Sequence, residues 1–336
     1  MTMIKMYIVT AVMLLHATSC LSADMEITPF RTNNQRPLVQ IFGLPVETSA
    51  TITPPGRVTV GISQDIASEF IVSETAHERL TLDGESYRWV LSARYGINQR
   101  FEAGIDIPYV LYGGGFFDGF IVDWHKTFNL PQNGRDLSPK NRMTYRYSKD
   151  GLLKLDMRQA GSGLGDISFA GGVKLYNEAH AVSHDSLTLR AALKLPSGES
   201  SSLRGSGSTD FSLYLCGSMN NFTEWGSLGV FGSAGGMVMS RGDVLPDQQN
   251  NVAGFGTVGL GWGAAEWISF KLQLNAHTAF FNGSALAELS NASVMLVGGG
   301  ALKLPDGYLL DIGVSEDISV GTAPDVALHL ALSKQF

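Results

Sequence analysis

From residue 58 to residue 336 the chain alternates, with apolar side chains at every second position over runs of about 10 to 15 residues. Val58, Val60, Ile62 and Ile66 share one parity. Tyr87, Trp89, Leu91, Ala93, Tyr95 and Ile97 form a second strip, and after residues 98–100 a third resumes at Phe101, Ala103, Ile105, Ile107 and Tyr109. A period of two belongs to strands, and two strips around a short link predict a hairpin. The form repeats at Ile167, Phe169, Val173 and Leu175; at Leu187, Leu189, Leu193 and Leu195; at Phe211, Leu213 and Leu215; at Val258, Leu260 and Trp262; and at Ile268, Phe270, Leu272, Leu274 and Phe280. Strips at 294–304 and 308–315 lead to the last one, Val326-Ala-Leu-His-Leu-Ala-Leu-Ser-Lys-Gln-Phe336.

The connections alternate too. Short links at 98–100, 178–183, 220–224, 264–265 and 305–306 are interleaved with long ones at 113–162, 197–208, 241–250 and 282–291. An even strand number, short turns on one side and long loops on the other describe an all-β, antiparallel transmembrane β-barrel. The count is about 12 strands, with 10 or 14 as alternatives, because strand boundaries are the weakest part of such a reading. The second strand should be interrupted near Asp83 and Gly84. A secreted β-sandwich also alternates. Against it stand the strand lengths, the uncharged apolar faces, and the aromatics Tyr87, Trp89, Tyr95, Phe101, Tyr109, Trp262 and Phe280 near strand ends, where bilayer interfaces would lie.

Composition agrees. The 336 residues are 44% hydrophobic, 10% aromatic and only 16% charged, with 39 glycines, which favours strands and tight turns over disorder. A net charge of −7 with scattered Lys and Arg offers no basic stripe for nucleic acid. At the N-terminus, Lys5 precedes the apolar run from Tyr7 to Leu15, too short for a spanning helix, and Leu21-Ser-Ala23 supplies a cleavage site, so residues 1–23 read as a cleaved export signal. A rival reading takes Ala17-Thr-Ser-Cys20 as a lipobox with Cys20 lipidated. Cleavage after Ala23 leaves Cys216 alone, without a disulfide partner.

Specific stretches resemble a family of uncharacterised Gram-negative outer-membrane proteins, the domain of unknown function 3187. They are Asn34-Gln-Arg-Pro-Leu-Val-Gln-Ile-Phe-Gly-Leu-Pro45, Asp83-Gly-Glu85, Phe117-Asp-Gly-Phe120 with Trp124-His125, Leu130-Pro131 with Gly134-Arg135, and Glu316-Asp317 followed by Ala323-Pro-Asp325. The resemblance implies a barrel in the outer membrane and no known reaction.

Four sets of residues carry the functional expectations. Leu328, Leu330, Leu332 and Phe336 form an assembly signal for the barrel-assembly machinery, although Lys334 stands where an aromatic is more usual. Phe117, Phe120, Ile121, Trp124 and Phe128 fall at helical spacing within the longest extracellular loop, 113–162, as a lid gating an apolar ligand or as a packed cap. Opposite the lipid face, Arg88, Arg94, Glu102, Asp106, Asp166, Lys174, Arg190, Lys194, Asp210, Lys271, His277, Lys303, Asp311 and His329 would line the lumen, and their mixed signs suggest pairing across a narrow interior. The apolar lead, residues 24–55, either plugs the lumen of the barrel (56–336) or packs under its rim. Asp118, Asp123 and His125 lack the spacing of a metal site, and no nucleophile elbow appears. No cofactor, metal or catalytic residue is expected. The reading is a non-enzymatic outer-membrane barrel in contact with outer-membrane lipid, either a narrow or gated porin-like channel for a small, apolar molecule of unknown identity or a structural protein. The alternative is a membrane-embedded lipid hydrolase.

Overall fold

The computed structural model describes residues 25–128, 135, 138–319 and 321–336. The export signal and Cys20 lie outside them. In chain order the elements are β1 (Val58–Glu74), β2 (Glu78–Gly96), β3 (Phe101–Gly113), α1 (Phe117–Phe128), β4 (Thr144–Lys149), β5 (Leu152–Met157), β6 (Gly161–Leu164), β7 (Ser168–Ala179), β8 (Ser183–Lys194), β9 (Asp210–Thr223), β10 (Gly226–Met239), β11 (Val252–Ala265), β12 (Ile268–His277), α2 (Ala287–Ser290), β13 (Ser293–Lys303), β14 (Tyr308–Asp317) and β15 (Val326–Gln335). Twelve of these strands form a closed antiparallel ring from β1 to β3 and β7 to β15. Closure is the pairing of β15 with β1, from Thr59 opposite Gln335 to Ser68 opposite Val326. A closed ring leaves no unpaired edge, the condition for strands to sit in hydrocarbon.

The pleat sorts the side chains as the alternation requires. Val60, Ile62, Leu91, Leu213, Leu215, Leu228, Val230, Val258, Leu260, Leu272, Ile312 and Val314 are exposed on the outside, while Ser92, Arg94, Thr188, Arg190, Lys271, Gln273 and His329 are buried inside. So large an apolar surface facing water would be unfavourable; facing lipid it is the stable state. Aromatic rings border the belt. Tyr87, Trp89 and Tyr109 neighbour one another near its extracellular edge, and Tyr95, Phe101, Trp225, Trp262 and Trp267 are exposed at its short-turn edge. The eight steps from Tyr87 to Tyr95 cover about 26 Å of strand, the nine-residue length with which a tilted strand crosses a bilayer.

Three expectations are corrected. No break occurs at Asp83 and Gly84: β2 runs through, and its partner changes, with Glu85 to Gly96 pairing β3 and Glu78 to Asp83 pairing β4. The signal read as an interruption marks that change, where Gly84 adopts φ 154° beneath the Tyr145 ring. Residues 113–162 are not only a loop with a helix, since β4 and β5 form a hairpin and β6 pairs the upper end of β3, extending the wall above the membrane. Phe280 is not in the girdle: β12 ends at His277, and Phe280 is buried, stacked on Phe42 at 4.7 Å between centroids.

A lumenal hairpin as candidate functional site

Residues 25–53 run up the lumen and back down before the chain enters β1. Near the short turns, the Ser227 hydroxyl donates to the Met25 carbonyl (2.6 Å) and the Ile27 amide donates to Asn220 Oδ1 (2.8 Å). Higher up, the Phe30 amide donates to Gln273 Oε1 (2.8 Å), the Thr32 hydroxyl to Asp65 (2.7 Å), and Asn34 Nδ2 to the Thr322 carbonyl (2.9 Å). The returning limb is held by the Gly43 amide on Asp210 (2.7 Å), by Glu47 on Ser233, by the Ser49 carbonyl on Arg190 (2.7 Å) and by the Thr53 amide on Glu102 (2.6 Å). The wall offers polar side chains from every quarter of the ring, so a segment rich in backbone amides and short polar side chains can satisfy its hydrogen bonds there.

The tip is different. Leu38, Val39, Ile41 and Phe42 enter an apolar cluster at the extracellular end with Leu80, Leu82, Tyr112, Tyr145 and Tyr147 of the extended wall, and with Leu245, Phe280, Phe281, Leu286 and Leu289 of the long loops. Each fully buried aliphatic or aromatic side chain there contributes about 1.5–3 kcal/mol. Arg36 locks the base of the tip. It is fully buried, its Nε donates to Glu69 (3.0 Å), and its Nη2 donates to the Ala323 carbonyl (2.9 Å).

The residues expected in the lumen divide into groups. Arg94 pairs with Asp106 (2.6 Å), Arg190 with Glu102 (2.7 Å), and Lys194 with Asp166 (2.6 Å) and Asp210 (3.1 Å). Lys271 pairs with Asp311 and lies 4.1 Å over the Phe30 ring. His329 Nδ1 is 2.8 Å from Asp65, and His277 Nε2 is 2.9 Å from Asn34 Nδ2. Arg88 donates to the Gln40 carbonyl (2.8 Å). Lys174 is half-buried just before a bulge in β7, and Lys303 is exposed at the end of β13. The His329–Asp65 pair has two members of a hydrolytic triad. The His329 Nε2, however, is buried with no hydrogen-bond partner among the described residues, and so engages no hydroxyl there.

Sequence reasoning missed the polar half of the lead. Arg31, Thr32, Asn34, Arg36 and Gln40 do most of the docking, yet only the apolar content of the lead was weighed. Their wall partners Asp65 and Glu69, and Asn220 and Gln273, which hold the backbone of Ile27 and Phe30, were missed too, although the mixture of Asn, Gln and Arg within an apolar stretch is a usable signal.

The lid residues begin outside the ring rather than over the lumen. Glu85 points outward, where it accepts the amides of Phe116 (2.9 Å) and Phe117 (2.6 Å), and Phe116 stacks on Tyr87. Gly115, at φ 70°, is required there, because a Cβ would sit 1.8 Å from the Glu85 carboxyl carbon. Asp118 is spent on Arg135 (2.8 Å), whose guanidinium also meets Ser68 and the Phe70 ring on the outer wall. The side chains of Phe120, Ile121, Trp124, His125 and Phe128 lie outside the described residues.

Above the membrane, Glu78 ties the cap together by accepting from Ser284 Oγ (2.7 Å), the Ala285 amide (2.8 Å), Tyr147 (3.1 Å) and Lys149 (2.9 Å). Burial alone would raise its pKa, but these donors outweigh burial and hold the carboxyl at about 2. A pKa depressed on folding stabilises above the unfolded value and is lost as pH falls through the folded one. The cap is therefore expected to loosen between about pH 4.5 and 2. Hydrogen exchange of residues 144–149 and 284–290 over that range should show it in the wild type, whereas Glu78→Gln should already show the looser state at pH 7.

Closed ring, inverted polarity and aromatic borders together define a transmembrane β-barrel of the bacterial outer-membrane type. The chain belongs to the family described as "Protein of unknown function (DUF3187)", whose model matches residues 4–336. No curated protein matches it in sequence. Among solved structures it is similar to an outer membrane channel from Pseudomonas putida F1, at 14% identity and a TM-score of 0.53, covering 84% of this chain and 96% of that one. It is more loosely similar to LpxR from Salmonella typhimurium (7% identity, TM-score 0.41, 82% and 99% covered) and to the KdgM porin in complex with oligogalacturonate (9%, 0.39, 83% and 98%). At these identities the likeness concerns the fold.

Proposed function

We propose that the protein is a gated outer-membrane channel whose own N-terminal hairpin, residues 25–53, is the gate. The observation that carries this reading is the chemistry of the hairpin's contacts. Along both limbs the hairpin is held by hydrogen bonds to a polar wall, with an Arg31–Asp106 ion pair on the ascending limb; the large apolar cluster seals the tip, and a much smaller one sets Ala50 against Tyr214 and Cys216 on the returning limb. Polar contacts exchanged for water change free energy little, about 0.5–1.5 kcal/mol each, so the limbs can leave a wet lumen once the tip is released. The mid-lumen wall is polar, which favours a small polar solute over the apolar one considered from the sequence. Export by residues 1–23 and delivery to the barrel-assembly machinery complete the reading. Planar-bilayer recording of the intact chain should show a closed baseline with rare openings; a steady open current from the intact chain would exclude a resident gate.

In the terminal strand, Phe336 is exposed at the short-turn edge and Lys334 lies 4.5 Å over the Tyr308 ring, so the aromatic missing from position 334 is supplied by its neighbour. Deleting Phe336 removes an exposed ring and two backbone hydrogen bonds with Val58 at the end of the closing seam. It should nonetheless leave most of the protein unassembled, read as loss from the outer-membrane fraction and of heat-modifiable mobility.

A further inference from the structure

Two spaces flank the hairpin, and they share a boundary. One, of about 410 Å³, opens at the short-turn end between the hairpin limbs. The other, narrower and about 70 Å³, lies between the hairpin and the β1–β3 and β7–β9 wall. Arg31 and Arg94 line both, so the passage between them runs past these guanidinium groups.

The charges at this waist do not balance. Arg94 Nη2 is 2.6 Å from one Asp106 oxygen and Arg31 Nη2 is 3.3 Å from the other. The third guanidinium, Arg88, lines the same inner space, bonds the Gln40 carbonyl, and makes no ion pair with a carboxylate among the described residues. Its neighbour across the strand pair, Asp65, lines the same space, accepts from Thr32 Oγ1 (2.7 Å) and lies 2.8 Å from His329 Nδ1. Arg94 Nε is buried with no hydrogen-bond partner among the described residues. Three cations, Arg31, Arg88 and Arg94, thus meet two carboxylates, Asp106 and Asp65, in a partly buried space, and the excess positive charge is one that an anion would offset. Guanidinium groups with free donor edges suit a planar or tetrahedral oxyanion.

We propose that this waist, formed by Arg31, Arg88 and Arg94, binds a small oxyanion, a carboxylate or phosphate of few non-hydrogen atoms, entering from the short-turn end. The site rests on the gate reading only in making the bound anion the solute that meets the gate. Because Arg31 belongs to the hairpin and Asp106 to the wall, the anion competes with Asp106 for the hairpin's own cation. Occupancy therefore weakens one of the ties on the ascending limb.

The test is equilibrium binding to the detergent-solubilised full-length chain, measured calorimetrically with sodium acetate and with inorganic phosphate at pH 7, at an ionic strength held constant with chloride. At least one should bind with 1:1 stoichiometry. Arg88→Gln should weaken it by about tenfold, as expected for a lost charged hydrogen bond. Asp106→Asn, which removes the competing carboxylate, should tighten it by about threefold or more, a sign opposite to that of general damage. No binding of either anion overturns the proposal. So does an unchanged affinity in Arg88→Gln, or a weakened one in an Asp106→Asn protein that keeps its heat-modifiable mobility. Should Asp106→Asn fail to fold, the Arg88→Gln result decides alone. None of these readings depends on conductance, so failure of the gate leaves the binding result standing.

Discussion

Removing residues 25–53 should convert a silent barrel into a conducting one: in planar bilayers the shortened chain is expected to show discrete, long-lived current steps where the intact chain keeps a closed baseline. The barrel should survive the deletion. Its twelve strands are hydrogen-bonded into a ring that does not use the hairpin, and Arg94–Asp106, Glu102–Arg190, Lys194–Asp166 and Lys271–Asp311 are pairs of wall with wall. What the deletion exposes is polar: Asp65, Glu69, Asn220, Gln273 and Asn275 exchange hairpin partners for water at little cost. The extracellular cluster loses Leu38, Val39, Ile41 and Phe42 and with them the centre of its seal. Heat-modifiable mobility establishes that the shortened chain is folded. A folded, silent shortened chain would mean that the extracellular loops close the mouth by themselves.

The second large effect is at Arg36. Arg36→Ala leaves Glu69 buried with its counter-ion gone and frees the carbonyls of Gly321 and Ala323. Breaking a buried pair from one side costs about 3–5 kcal/mol. The loss should fall on the hairpin rather than on the ring, because the other contacts of Arg36 also tie the hairpin to the wall and loops. The measurement is trypsin cleavage after Arg31 in the folded protein, which should become rapid in Arg36→Ala and stay slow in the wild type. Pairing the change with Glu69→Ala should restore much of the protection, since no unpaired charge remains. Slow cleavage in Arg36→Ala would show that the apolar tip alone holds the hairpin.

The ring was legible because a membrane barrel writes its two faces directly into sequence. Val258, Leu260 and Trp262 face lipid and Thr188, Arg190 and Lys194 face the lumen, with nothing but parity needed to tell them apart. Parity fails where the chain leaves the membrane. Above Glu85, Leu80, Leu82, Tyr145 and Tyr147 turn an apolar face inward. There the wall borders water outside and an apolar cap inside, so the polarity reverses, and Phe280 was misplaced for that reason. Partner exchange along β2 is likewise invisible to a pattern that records faces and not neighbours. For the lead, apolar content predicted burial, whereas the choice between lumen and rim depended on Arg36, Asn34 and Thr32 finding Glu69, His277 and Asp65 on strands hundreds of residues away or nearby, which no local pattern encodes.

The central claim is that the hairpin tip reaches the extracellular cap, and a photo-crosslinker placed at Phe42 tests it most directly. In the folded, membrane-inserted protein the Phe42 ring lies 4.7 Å from that of Phe280 and 5.6 Å from that of Phe281. Irradiation should therefore join position 42 to the peptide containing Phe280 and Phe281, identified by mass spectrometry. Adducts to the short turns around 98–100 or 305–306, or to lipid, would place the lead beneath the rim and contradict the account.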